Sequence, residues 1–137
     1  MKPTMAPQPD AQNERTADDL AQPSWVKEFP GGISVCDRDG TILEMNDQAA
    51  RIFADYGGLK LIGTNALDCH PEPARSKLET LLATQGTNIY TIEKAGVHKL
   101  ICQSPWYVDG ICRGLIELSL EIPAKMPHFV RDPDHPA

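Results

Sequence analysis

The chain contains no run approaching the ~20 consecutive apolar residues that a membrane-spanning helix needs. Its opening residues, MKPTMAPQPDAQ, hold no apolar stretch of the kind a secretory signal requires. A soluble, cytoplasmic protein with no membrane partner is therefore expected. Basic residues are the scarcer charge, 13 Lys and Arg against 19 Asp and Glu, for a net charge of -6. A phosphate-backbone binder needs a clustered basic face, so no nucleic-acid partner is expected, and binding to anionic lipid is disfavoured. Cysteine is sparse. Cys36, Cys69, Cys102 and Cys112 form no CxxC and no regular spacing, which argues against a disulfide framework and leaves most of them as small apolar core residues. GxSxG, HExxH and phosphate-loop signatures are missing as well, and there is no internal repeat. Catalysis is not expected.

What is present suits one domain. Thirty Leu, Ile, Val and Phe among 137 residues can fill a single core but not two. Nine of the twelve prolines lie outside residues 31–122, and this divides the chain. Residues 1–32 read as a disordered arm followed by a short helical segment, 33–122 as the folded domain, and 123–137 as an irregular proline-rich tail. Within the first part, Thr16-Ala-Asp-Asp19 suits a helix cap, with Pro23 as interruption. Ser24 is placed to cap a second start, where Trp25, Val26 and Phe29 form a small apolar stripe that needs something to pack on.

In the core, Ile33–Asp37 alternates, Arg38-Asp-Gly40 supplies turn residues and Thr41–Glu44 continues as a second strand. Asn46 is a good N-cap for a helix carrying Ala49, Ile52 and Phe53 and ending at Gly57-Gly58. Residues 59–70 hold only a turn or two of helix. Pro73 suits a first helical turn, Ala74, Leu78, Leu81 and Leu82 share one face, and Gly86 suits the stop. Strands over 87–94, 97–104 and 111–120 follow, with turns at Ala95-Gly96 and Asp109-Gly110. The expected class is α+β with one antiparallel sheet.

The last hairpin carries the sharpest expectations. Cys112, Ile116, Leu118 and Leu120 share one parity, so the even face reads as the buried one, joined by His98, Leu100, Cys102 and Trp106. The 73–85 helix should then bury Leu78, Leu81 and Leu82 against Ile116 and Leu118. A three-residue loop at 108–110 would set Cys102 opposite Ile116 and Trp106 opposite Cys112. Cys102 and Cys112 then lie roughly 13 Å apart along the strand, too far for a disulfide. Ile101, Tyr107, Ile111 and Leu115 would fall on an outer face, a seat for the Trp25 segment or for a second subunit. At Ala95-Gly96 a two-residue turn sets Glu93 opposite His98 and a three-residue turn sets Ile92 there; the residues leave both open.

The order of these pieces resembles a PAS domain: Ile33–Asp37, the Asp39-Gly40 turn, Ile42–Glu44, Asn46 opening a helix with Ala49-Ala50, Leu61-Ile-Gly63, and a last strand ending in Gly114-Leu115-Ile116-Glu117. Leu67-Asp-Cys-His-Pro71 is similar to the Cys-His-Pro variant of some bacterial PAS sensors. The resemblance implies a five-stranded antiparallel sheet whose concave face meets short helices around a pocket. It also implies a sensory role through a small ligand, haem, flavin or dimerisation, with a kinase, cyclase or transcription regulator as partner. No kinase nucleotide motif or helix-turn-helix signal appears, so a free-standing module is expected. An Asn-Cys-Arg-Phe-Leu-type run is missing too, which argues against flavin photochemistry.

Five residues are pocket candidates: His70, Cys69, His98, Cys102 and Trp106. His70 stands just before the helix that, in haem-binding relatives, often supplies the axial histidine, so it is the candidate haem-iron ligand. The competing reading is a ring bonded to a nearby loop carbonyl. Cys69, beside it, is a candidate reactive thiol or a structural one. His128 and His135 fall in the tail. Asp37, Asp39, Asp47 and Glu44 read as turn and cap residues. Three functions remain: a ligand-binding sensory module, a haem or redox sensor built on His70 and Cys69, and a ligand-free docking or dimerisation scaffold.

Overall fold

The computed structural model describes residues 22–134. Strand β1 (Gly32–Asp37) turns into β2 (Ile42–Met45) because Asp37 Oδ1 accepts the backbone N–H groups of Asp39 and Thr41, each at 2.9 Å. Gly40 closes the turn at φ +90°, a conformation open to glycine. Asn46 then caps α1 (Asp47–Ile52) by accepting the Ala49 N–H. That helix buries Ala49 on Ile42 and Met45. Three short 3-10 turns, Ala54–Tyr56, Gly58–Leu61 and Ala66–Cys69, lead to α2 (Ala74–Thr84). Its 3.6-residue period puts Leu78, Leu81 and Leu82 on the buried face as expected. The helix stops one residue before Gly86, at Gln85, which adopts the left-handed conformation itself.

Strands β3 (Asn88–Lys94), β4 (Val97–Val108) and β5 (Ile111–Ile122) complete the sheet. Its order is β2-β1-β5-β4-β3, with every adjacent pair antiparallel. The expected α+β class and the five-stranded antiparallel sheet are both present. At Ala95-Gly96 the turn has two residues, and Glu93 faces His98, their side chains 3.4 Å apart.

The last hairpin departs from the expected register. The loop is the two-residue Asp109-Gly110, with both residues at positive φ (50° and 78°), the conformation that matches the twist of a tight hairpin. Val108 pairs with Ile111 and Tyr107 with Cys112, but Trp106 pairs with Gly114. One extra residue in β5 therefore forms a bulge and shifts the rest of the strand. Cys102 faces Leu118, not Ile116, and Trp106 faces Gly114, not Cys112.

The expected buried face is also reversed. Leu78, Leu81 and Leu82 pack on Cys36 and Leu115, not on Ile116 and Leu118. Residues of odd number in the body of β4 and β5, including Ile101, Gln103, Leu115, Glu117 and Ser119, lie beneath α1 and α2. Leu100, Cys102, Ile116, Leu118 and Leu120 are half-buried on the other face. Alternation showed that the two faces differ. Helix coverage decided which one is inner. Ile101 and Leu115, expected outside, are buried, whereas Tyr107 and Ile111 at the hairpin tip are exposed as expected.

The four cysteines are free; Cys36 and Cys112 are buried, Cys102 is intermediate and Cys69 is exposed. The expected 16–19 helix cap and His135 lie outside the described residues, and His128 is exposed. Ser24 does not cap. It is the first residue of a one-turn helix, Ser24–Lys27, preceded by Pro23 without a side-chain cap. Lys27 Nζ reaches Asp47 Oδ2 at 3.1 Å. Trp25 stays 76% exposed, whereas Val26 and Phe29 are half-buried and the Phe29 ring lies beside Gly31, so the stripe packs only in part.

Truncating Leu82, which is buried between α2 and the sheet, should lower stability by about 2–5 kcal/mol through lost contacts and a residual cavity. Urea denaturation of Leu82→Ala checks this. A midpoint equal to wild type would mean that α2 contributes little to the core.

Candidate functional site

Because α1 and α2 cover a face whose alternate residues are largely polar, they do not close on it fully. A cavity of about 350 Å³ remains, lined by Ser34 of β1, Ile52 and Phe53 at the end of α1, Lys77 and Leu78 of α2, and the inner faces of β3, β4 and β5. Its floor is a polar chain crossing three strands. Asn88 Nδ2 donates to Gln103 Oε1 at 3.1 Å, and Gln103 Nε2 donates to Glu117 Oε1 at 2.9 Å. Strand pairing places these side chains side by side, since Asn88 is opposite Gln103 and Gln103 is opposite Glu117. Gln103 is 8% exposed, and its bonds at both ends offset the desolvation of its amide.

Tyr90 and Ile101 sit opposite one another on the same inner face and line the cavity. Burial, and then the charge of Glu117, holds the Tyr90 phenol above its ordinary pKa. Burial likewise raises the Cys36 thiol, against a smaller lowering from its hydrogen bond to the Leu115 backbone, with the charges of Asp37 and Glu117 adding to the rise. Lys77, Lys94 and Lys99 line the same cavity.

A second, mainly apolar cavity of about 70 Å³ lies beside it, walled by Cys36, Ile42, Met45, Phe53, Leu61, Leu115 and others. His70 borders both cavities. Its Nδ1 lies 2.6 Å from the Ala66 carbonyl oxygen. A carbonyl only accepts, so Nδ1 carries a proton, and in the neutral ring Nε2 is the acceptor. This is the loop-carbonyl arrangement weighed for His70. Cys69 borders the smaller cavity, with Sγ 3.9 Å from the Asn65 oxygen.

The other three candidates are not among the cavity-lining residues. His98 and Cys102 alternate with Lys99, Ile101 and Gln103 and so point to the outer face, where Cys102 faces Ile89 and Leu118. Trp106 lies opposite Gly114 and donates from its indole Nε1 to the Cys36 oxygen at 2.9 Å, a bond within the sheet. These corrections share one cause, the reversed sheet face. The residues that do build the floor, Asn88, Gln103 and Glu117, escaped the sequence reading. Their signal was polar side chains recurring at alternate positions inside long strands, which reads equally well as a solvated face.

Neither cavity suits a haem on His70. A porphyrin needs an apolar slot; the apolar cavity has roughly the volume of two or three waters, and the larger one is floored by two amides and a carboxylate. Among the described residues, no group of three or more His, Cys, Asp or Glu side chains is arranged to hold a metal ion.

The sequence matches the profile of the PAS fold over residues 26–125. The chain belongs to the PAS family. Solved structures agree on the fold of this PAS domain. It is similar to the PAS domain of BvgS from Bordetella pertussis at 17% identity and a TM-score of 0.56, covering 73% of this chain and 82% of that one. The PAS domain of an HTR-like protein from Haloarcula marismortui is similar at 17% identity and a TM-score of 0.52, over 72% and 87% of the two chains. A sensory box sensor histidine kinase from Vibrio cholerae is similar at 16% identity and a TM-score of 0.52, over 72% and 86%. A comparison with curated protein sequences finds no match. Among the described residues, no helix of this PAS domain is long and apolar enough to cross a membrane.

Proposed function

We propose that this PAS domain is a sensory module that binds a small polar molecule between α2 and the inner face of the sheet, without catalysis, and signals its occupancy to a separate protein. The supporting observation is the cavity of about 350 Å³, within the range that small-molecule sites occupy, and floored by the bonded Asn88–Gln103–Glu117 chain. A signalling kinase, cyclase or transcription regulator in the cytoplasm is the partner class that fits a sensory PAS domain.

The test is thermal denaturation of wild type and Ser34→Phe, which narrows the cavity from β1, against a panel of neutral, anionic, cationic and zwitterionic metabolites. A ligand present at 100 times its Kd stabilises the folded chain by about 2.7 kcal/mol. At least one compound should raise the Tm of wild type and leave Ser34→Phe unmoved. If no compound does so, or if both proteins respond equally, the cavity is not a binding site.

A second reading, homodimerisation, rests on the outer face. Ile33, Val35, Leu100, Ile116, Leu118 and Leu120 are half-buried there, on the side of the sheet away from α1 and α2. Pairing two such faces about a two-fold axis would remove this apolar surface from water. Sedimentation should show a wild-type dimer that Leu118→Lys dissociates. A wild-type monomer at high micromolar concentration would defeat the dimer.

A further inference from the structure

Glu117 occupies an unusual position. It is half-buried on the inner face, where it accepts one hydrogen bond, at Oε1 from Gln103. The three ion pairs among the described residues, Lys27–Asp47, Arg75–Asp68 and His98–Glu93, do not involve it. A carboxylate accepts at up to four positions, so one bond from Gln103 leaves most of its accepting capacity open to a ligand. The amides of Asn88 and Gln103 are aligned so that their donors point along the chain toward this carboxylate. The negative end of the network is therefore fixed in place.

The same cavity is lined by Lys77 from α2 and by Lys94 and Lys99 from the β3–β4 hairpin. None of these ammonium groups is in an ion pair among the described residues. The site thus offers a held carboxylate on its floor and mobile cations on long side chains around it. An apolar ligand leaves both unmet, and a dianion meets Glu117 with like charge. A simple amine satisfies the floor alone.

We infer that the cavity takes a small zwitterion carrying an amine and a carboxylate, the amine bonded to Glu117 and the carboxylate to the lysines, Lys99 foremost because it is the least exposed of them. This rests on the proposed ligand-binding role and names its chemistry. Tyr90 and Ile101, adjacent on the inner face, supply the wall for the ligand's carbon chain.

Titration calorimetry of the full chain with the common L-amino acids, β-alanine and 4-aminobutyrate tests it, alongside the N-acetyl and carboxamide derivative of any binder. At least one zwitterion should bind. Acetylating its amine or converting its carboxylate to an amide should weaken binding roughly tenfold or more, as expected for a hydrogen bond to a charged group. Glu117→Gln retains a carbonyl acceptor for Gln103 and should keep the unliganded Tm close to wild type while weakening the zwitterion to a similar degree. Lys99→Gln should weaken the zwitterion but leave its carboxamide unchanged, an arm that stands even if Glu117→Gln does not fold. A neutral or dianionic compound that stabilises wild type but not Ser34→Phe, with no zwitterion binding, would overturn this inference and leave the cavity's binding role standing. Failure of every class of compound would overturn both.

Discussion

Replacing Gly114 with alanine should remove a large share of the domain's stability, more than any other single substitution considered. Gly114 has φ +155° and lies where β5 passes closest to β1, opposite Asp37. A Cβ there would overlap the Cys36 carbonyl oxygen and lie 2.7 Å from both Cα and C of Asp37. These are backbone atoms held in a strand ladder, so neither neighbour can swing aside. The Cys36 oxygen also accepts the Trp106 indole at 2.9 Å, so displacing β1 breaks that bond as well. We expect a loss above about 4 kcal/mol, in the range reserved for severe steric or buried-polar defects, from a domain whose total stability is of order 5–15 kcal/mol. Circular dichroism during urea titration reads this directly. A urea midpoint close to that of wild type would show that β1 and β5 do not approach so closely.

Asn46→Ala should have the next largest effect, a loss of about 3–5 kcal/mol from groups that individually cost about 1–3 kcal/mol when left buried and unpaired. Asn46 is 1% exposed and uses both ends of its amide. Oδ1 accepts the N–H groups of Ile33 at 2.9 Å and Ala49 at 3.0 Å. Nδ2 donates to the oxygens of Val26 at 3.0 Å and Gly31 at 2.9 Å. One side chain thereby fastens the segment before the sheet, the start of β1 and the first turn of α1. Asn46→Asp keeps the acceptors but turns an oxygen toward two carbonyls. The new carboxyl would have a pKa raised in the folded state, so it binds more protons folded than unfolded and stability falls as pH rises through that range. Chemical denaturation at pH 4 and pH 7 should show Asn46→Asp closer to wild type at the lower pH. Equal deficits at both would show that the amide's donors contribute little.

Asn46 was legible in the sequence as a helix cap, because capping is local: an amide followed by a helical stripe, with its acceptor three residues from the N–H it serves. Its two donor bonds were not, since they reach back 20 and 15 residues. The candidate site divides in the same way. His70 and Cys69 were singled out from adjacent residues, and both border a cavity. The floor was assembled from Asn88, Gln103 and Glu117, residues on three strands that only pairing brings together.

Local chemistry in the sequence determined the order of elements, the Asp37–Gly40 turn, the buried leucines of α2 and hence the PAS resemblance, because turns, caps and helical periodicity involve residues a few positions apart. Tertiary structure alone decided which face of β4 and β5 the helices cover. Both faces carry apolar residues, Leu100, Ile116, Leu118 and Leu120 on one and Ile101 and Leu115 on the other, so alternation could not choose between them. The bulge before Gly114 set the register by allowing a two-residue turn without opposing the two parities. The packing of α2 on Cys36 and Leu115 then enclosed the face with Gln103 and Glu117, and a carboxylate that reads as a surface residue became the floor of a cavity.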